Sequence, residues 1–241
     1  LTRSIKLRST MADLVILDFD GTIFDTREAI QHAARLTFTT LLPTHEIPYA
    51  KARRLMATGA GLSETFRALH PDPSTFNEEK WVATYRSLYA AHEEKFTNPF
   101  PGLRELLEGL HSRRIPIAIV SNKAVPPIKT ALERMELAEF VPEALIIGDG
   151  TPGAKRKPDA TSFTDVLVPR LKGVYGEGFA VDPSRVLMVG DTITDLKYAR
   201  NIGARGCWCR FGQGDKEECE SFRPDYAVDS LAEVLEIAVK E

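Results

Sequence analysis

Asp18 and Asp20 follow the apolar run Leu14-Val15-Ile16-Leu17, and Asp191 and Asp195 follow a second apolar run at 185–189. If the two runs are neighbouring parallel strands, four carboxylates meet at one edge. Such a group repels itself unless a cation sits among it. Oxygen ligands with no His or Cys beside them select a hard cation such as Mg²⁺. Mg²⁺ keeps positions open for substrate phosphate, so the same acids predict a phosphate ligand. Their surroundings suit one. Thr22, Ser121 and Asn122 are hydrogen-bond donors, and the amides after Gly21 could open a helix N-terminus. Lys157, in the basic loop Lys155-Arg156-Lys157-Pro158, supplies positive charge. The expected metal ligands are Asp18, Asp20, Asp191 and Asp195. The expected phosphate contacts are Thr22, Ser121, Asn122 and Lys157.

One reaction uses all of them. Asp18 attacks phosphorus and becomes an aspartyl-phosphate. Mg²⁺ and Lys157 stabilise the charge on the transferring group. Asp20 protonates the leaving alkoxide and then activates the water that cleaves the acyl-phosphate. Asp18 must stay ionised for this, and Asp20 must be the more easily protonated of the two.

These residues need a particular scaffold. The run at 14–17 has no helical period and reads as a strand buried on both faces. Asp25 with Glu28 has the form of a capping box, which starts a helix near Thr26. Helical patterns then fill 27–42, 46–57, 61–69 and 77–96, broken at Leu42-Pro43, Gly59-Ala60-Gly61 and His70-Pro71-Asp72-Pro73. Beyond Asn98-Pro99-Phe100-Pro101-Gly102, helix and strand alternate. Strands are expected at 115–120, 144–147, 185–189, 205–209 and 226–228. Helices are expected at 102–113, 125–136, 159–171, 194–201 and 230–239. Alternation of this kind gives an α/β fold with a doubly wound parallel sheet. Right-handed crossovers then place every strand C-terminus on one edge, where ligands bind. The expected organisation is a Rossmann-like core, 11–25 and 98–241, with an all-helical cap inserted at 26–97. Residues 1–10 read as an extension without a catalytic role.

Composition narrows the function classes. The chain has 241 residues, 31 Lys plus Arg against 34 Asp plus Glu, and a formal charge of −3. That balance offers no general attraction to nucleic acid or to an anionic membrane. Cys207, Cys209 and Cys219 are an odd, closely spaced set, read as reduced structural thiols rather than a disulfide framework. No apolar run approaches the roughly 20 residues of a membrane span. A cytoplasmic setting is the default, and a monomer is compatible with the composition. Gly173, Gly176 and Gly178 do not form a dinucleotide fingerprint.

Asp18-Phe19-Asp20-Gly21-Thr22, Ser121-Asn122, Lys157-Pro158 and Gly190-Asp191 with Asp195 resemble, in order, the four motifs of the haloacid dehalogenase superfamily. The resemblance is strongest to its phosphoglycolate phosphatase-like branch, in which a helical cap follows the first motif. Pro101-Gly102, Gly148-Asp149 and Pro224-Asp225 add to it. The resemblance implies a Mg²⁺-dependent phosphatase acting on a small phosphorylated metabolite, with phosphoglycolate as a candidate. It also favours Lys157 over Lys155 as the site cation, because Pro158 follows. Sibling activities fit less well. Dehalogenases and phosphonoacetaldehyde hydrolases lack the Asp20 carboxylate. Phosphosugar mutases carry a cap histidine where this chain has Ile30.

Plainer readings stand beside these. Asp195 could be a helix cap, and Ser121 and Asn122 could open a turn. Arg53 and Arg54 could reach a substrate acid from the cap or form a solvated helix face. Gly59-Ala60-Gly61 is a candidate loop over the site. The cap-region histidines His32, His45, His70 and His92 are assigned no role. The alternative of another class is a signalling or scaffold module that binds metal without turnover. The insertion after the first strand and the Asp20 carboxylate argue against it.

Overall fold

The computed structural model describes residues 11–240. The expected extension at 1–10 lies outside the described residues. Six parallel strands form the main sheet: β1 (Leu14–Leu17), β4 (Ile117–Ala124), β5 (Ile146–Asp149), β6 (Val186–Gly190), β7 (Arg205–Cys209) and β8 (Tyr226–Val228), in the order β5-β4-β1-β6-β7-β8. Strand β1 pairs Val15 with Ile117 on one side and with Leu187 on the other. It is therefore central, and its C-terminus lies between those of β4 and β6.

Its four residues are fully buried because both faces of the sheet are covered. Val15 and Leu17 face a core shared with α5 (Leu103–Ser112), α6 (Val125–Arg134) and α10 (Leu231–Val239). Leu14 and Ile16 face the other core. It includes Phe163 and Leu167 of a π-helical stretch (Ser162–Leu167), Leu171 of α7 (Val168–Tyr175), and Tyr198 of α8 (Ile193–Ile202). Alternate residues of one strand thus anchor two layers. Truncating Leu14, Ile16 or Leu17 to Ala would cost about 2–5 kcal/mol.

A two-stranded antiparallel ribbon, β2 (Phe24–Asp25) and β3 (Asn98–Pro99), pairs Phe24 with Pro99 and Asp25 with Asn98. Between its strands run α1 (Arg27–Leu41), α2 (Tyr49–Ala57), α3 (Leu62–Leu69) and α4 (Glu78–His92). These helices have their own core, built on Phe38, Phe66, Trp81, Tyr85 and Tyr89. The architecture is an α/β Rossmann-like core with a helical cap, as the alternation predicts.

Local details differ from the sequence reading. The capping box expected at Asp25 and Glu28 does not form: Thr26 is the N-cap of α1 without a side-chain bond, and Asp25 accepts from Arg27 N. Strand β4 continues to Ala124, with a register irregularity between Val120 and Ala124. The helix expected at 159–171 is displaced to 162–175 and opens with the π-helical stretch. A short helix, α9 (Lys216–Ser221), has too little apolar periodicity to be read from sequence. It is capped by Asp215, whose carboxylate accepts from Glu218 N.

Candidate active site

The ends of β1, β4 and β6 bring Asp18, Ser121 and Asp191 to one edge, and the first turn of α8 adds Asp195. Asp18, Asp191 and Asp195 are buried, and each offers a carboxylate oxygen within 4.8 Å of the others. Lys157 lies among them, with Nζ 2.8 Å from Asp18 Oδ1 and 2.6 Å from Asp195 Oδ1.

Each group has an identifiable support. Asp191 is completely buried; its Oδ1 accepts from the Thr22 hydroxyl at 2.9 Å and its Oδ2 from Gln213 N at 2.6 Å. Asp195 Oδ2 accepts from both the amide (3.0 Å) and the hydroxyl (2.7 Å) of Thr192, the capping box of α8. The helix-cap reading of Asp195 therefore holds together with its place in the cluster. Gly21 has φ +79°, a conformation that favours glycine, and a Cβ there would collide with the Asp191 carboxylate. A Cβ at Gly212 would strike Asp191 as well, so the 212–214 loop closes on that residue from the other side.

Three carboxylates and one ammonium leave the buried cluster short of positive charge. Burial, then Asp195 and Asp18, push the Asp191 carboxyl up to about 8. Burial raises Asp18 to about 6, against the pull of Lys157. Burial works against the Lys157 charge, but Asp18 and Asp195 outweigh it and its pKa is raised. Asp18 Oδ1 accepts no hydrogen bond of good geometry. An all-oxygen donor set with uncompensated negative charge and an unused lone pair fits a hard divalent cation.

Several expected contacts are redirected. Asp20 does not join the carboxylate cluster; its Oδ1 lies 3.1 Å from Lys123 Nζ. The Thr22 hydroxyl is spent on Asp191 rather than left for a phosphoryl oxygen. The amides of residues 21–24 turn inward to Phe19 O and Phe24 O, because the tight turn at Gly21 needs them. The Asn122 carboxamide accepts from Lys157 N at 2.8 Å and donates to Lys157 O at 3.1 Å, so it fixes the lysine loop. It also donates to Gly59 O at 3.3 Å. Ser121 Oγ accepts from Lys123 N, which leaves its own O–H proton to donate.

The Gly59-Ala60-Gly61 turn does sit over this edge. Thr58 O accepts from the Thr194 hydroxyl at 2.6 Å, and Gly59 and Ala60 line the cavity below. Arg86 of the cap reaches Asp149 at 3.0 Å, and Arg156 holds the other oxygen of Asp149 at 2.9 Å. Arg53 and Arg54 are exposed and do not line the cavity.

Sequence reasoning missed Lys123, Gln213 and the Arg86–Asp149–Arg156 bridge. Lys123 is nearly buried, with its ammonium 4.1 Å from the centre of the Tyr89 ring. A lysine after Ser-Asn reads as solvated; only the cap makes it part of the site. Gln213 lies in a Gly-Gln-Gly turn, which was the one available signal. The buried thiols Cys207, Cys209 and Cys219 are free, and Cys219 Sγ contacts Asp191 O at 3.6 Å.

Residues 15–209 match the model of the haloacid dehalogenase-like hydrolase family. The chain is 27% identical to pyrophosphatase PpaX of Halalkalibacterium halodurans, over 92% of this chain and 95% of that one. It is 26% identical to the phosphoglycolate phosphatase of Vibrio parahaemolyticus, over 93% and 95% respectively. In structure it resembles a haloacid dehalogenase-like family hydrolase from Streptococcus pneumoniae, with TM-score 0.75, 26% identity and coverage of 94% and 97%. The chain belongs to the haloacid dehalogenase-like hydrolases, and the expectation of a phosphoric monoester hydrolase stands. Among the described residues, no helix is long and apolar enough to cross a membrane.

Proposed function

We propose that the protein is a Mg²⁺-dependent phosphatase that hydrolyses a small phosphomonoester through an aspartyl-phosphate on Asp18. The observation that carries this reading is the buried contact of Asp18, Asp191, Asp195 and Lys157 at the C-terminal edge of the parallel sheet. Asp18 and Asp191 keep lone pairs for the cation, while two donors from Thr192 occupy Asp195 Oδ2 and Lys157 bridges Oδ1 of Asp195 and Oδ1 of Asp18. Mg²⁺, when bound, supplies charge neutralisation for the nucleophile and for the phosphoryl oxygens.

This chain's own residues do the rest. Lys157 holds the nucleophile and meets the phosphoryl charge. The Ser121 hydroxyl donates to a phosphoryl oxygen, and Asn122 keeps Lys157 in register through its backbone. Asp20 lies on the cap side of the cluster with Lys123, where a leaving group departs. There it protonates the alkoxide and then takes a proton from the attacking water. The cap loop at Thr58–Gly59 rests on Thr194 and Asn122 and excludes water from the first transfer. Relatives named phosphoglycolate phosphatase and pyrophosphatase put phosphoglycolate, an ester, and pyrophosphate, an anhydride, among the compounds to be tested.

The test is phosphate release from phosphoglycolate, pyrophosphate, sugar phosphates, glycerol phosphate, nucleotides and p-nitrophenyl phosphate, with Mg²⁺ and with EDTA. Release that needs Mg²⁺ is the expected result. Silence on every compound would favour a metal-binding module without turnover.

A further inference from the structure

Resting on the phosphatase reading, we infer that the group esterified to the phosphate is uncharged and largely apolar, an alkyl or aryl group, rather than a carboxylate or a second phosphate. The cavity between core and cap measures about 580 Å³. Pockets of roughly 300–1,000 Å³ take ligands of drug size, and a two-carbon acid ester would leave most of this one to water. Away from the carboxylates, its walls include Ile30, Ala34, Leu62, Phe66, Leu69 and Tyr85, with Thr65 and Thr130 as uncharged polar groups.

Charge points the same way. The acids lining the cavity are Asp18, Asp20, Glu93, Asp149, Asp191 and Asp195, and the bases are Arg86, Lys123 and Lys157. Each base is already engaged: Lys157 with Asp18 and Asp195, Lys123 with Asp20 at 3.1 Å, and Arg86 with Asp149 at 3.0 Å, a carboxylate it shares with Arg156. A substrate carboxylate entering the cap side would join a lining in which acids outnumber bases, and would reach only the Arg86 guanidinium, which Asp149 already holds. An apolar group loses nothing there and gains from leaving water.

The experiment compares kcat/KM for ethyl, butyl and hexyl phosphate, whose leaving groups have nearly equal basicity, with phosphoglycolate and pyrophosphate, all with Mg²⁺. Burial of each methylene predicts a gain of about fourfold, so hexyl phosphate should exceed ethyl phosphate by on the order of a hundredfold. Both acidic substrates should fall below butyl phosphate. A flat or falling alkyl series, or either acidic substrate as the best of the set, would overturn the inference. Leu62→Lys, which places a cation in the half-buried wall, should lower hexyl phosphate turnover at least tenfold and raise that of phosphoglycolate. An unchanged ratio of the two in a folded variant would equally count against it. Mg²⁺-dependent release from p-nitrophenyl phosphate reads the catalytic assignment separately. Its absence, with every other ester silent, would remove the phosphatase reading and this inference with it.

Discussion

The catalytic edge and the cap-side wall of the cavity are built on opposite principles. At the edge, Asp191 and Asp195 are oriented by named partners, Thr22 and Gln213 N on Asp191 and Thr192 and Lys157 on Asp195, and Asp18 is held by its ion pair with Lys157. Across the cavity, Phe66, Leu69 and Tyr85 are held by packing alone, as part of the cap core. Directional bonds fix atoms to within tenths of an ångström, which phosphoryl transfer requires. Packing fixes a shape and a polarity, which is enough to select a leaving group. The reaction and the choice of substrate therefore reside in different parts of the chain, and substitutions should separate them.

The largest separation comes from Asp18→Asn. It should lower turnover by roughly 10⁴-fold or more on every substrate. The fold should survive, because the change removes one charge from a self-repelling cluster; thermal unfolding followed by circular dichroism checks this. Activity within tenfold of the wild type would disprove covalent catalysis by Asp18.

Asp20→Asn comes next. A positioned acid contributes on the order of 10²–10⁴-fold, so alkyl phosphates should slow by that amount. p-Nitrophenyl phosphate, whose leaving group needs little protonation, should slow less. Equal losses on both would place Asp20 in a purely structural role beside Lys123.

A smaller effect concerns the metal. Asp18 is raised to about 6 and Asp191 to about 8, so the metal-free folded protein holds protons that the unfolded chain has already released. The stability this adds is fully present below about pH 4 and is lost as pH rises through the two folded values. The rise in Tm on adding Mg²⁺ should therefore grow with pH, by roughly 5 °C or more between about pH 6 and pH 9. A Mg²⁺-induced shift independent of pH would mean that the ion does not bind at these carboxylates. The smallest effect sharpens the contrast from the other side. Arg53→Ala and Arg54→Ala, on an exposed face of α2, should change kcat/KM less than about twofold. A larger change would bring the cap's outer surface into substrate selection.

Much of the edge was legible because it depends on local order. An apolar run too short for a helix, followed by an acid, marks a buried strand and its C-terminal tip; β1 and β6 end in this way, β4 runs into Ser121-Asn122, and the three tips converge once the strands are parallel. Asp18 and Asp191 could be named from that alone, and Asp195 from the acid four residues on; Lys157 follows from its basic loop and, over Lys155, from the resemblance that Pro158 carries. The partners of Thr22, Asn122 and Asp20 could not. A hydroxyl or carboxamide has several possible acceptors, and sequence gives its type without its direction. Lys123 was invisible for a related reason: its burial depends on Tyr89, which belongs to a different helix in the cap. The capping box shows the same limit. Asp25 and Glu28 have the required spacing, yet the box forms at Thr192 and Asp195, because backbone geometry at the helix start decides it.

The amino-acid order by itself determined the parallel sheet, the helical insertion after the first strand and the residue types of the reacting edge, since periodicity and strand-end chemistry are properties of neighbours in sequence. Only the tertiary structure decided which polar atoms pair, that Asp20 sits with Lys123 outside the carboxylate cluster, and that the cap presents an apolar wall beside the Arg86–Asp149–Arg156 bridge. Those are contacts between residues far apart in the chain, and their energies exist only once water has been excluded from between them.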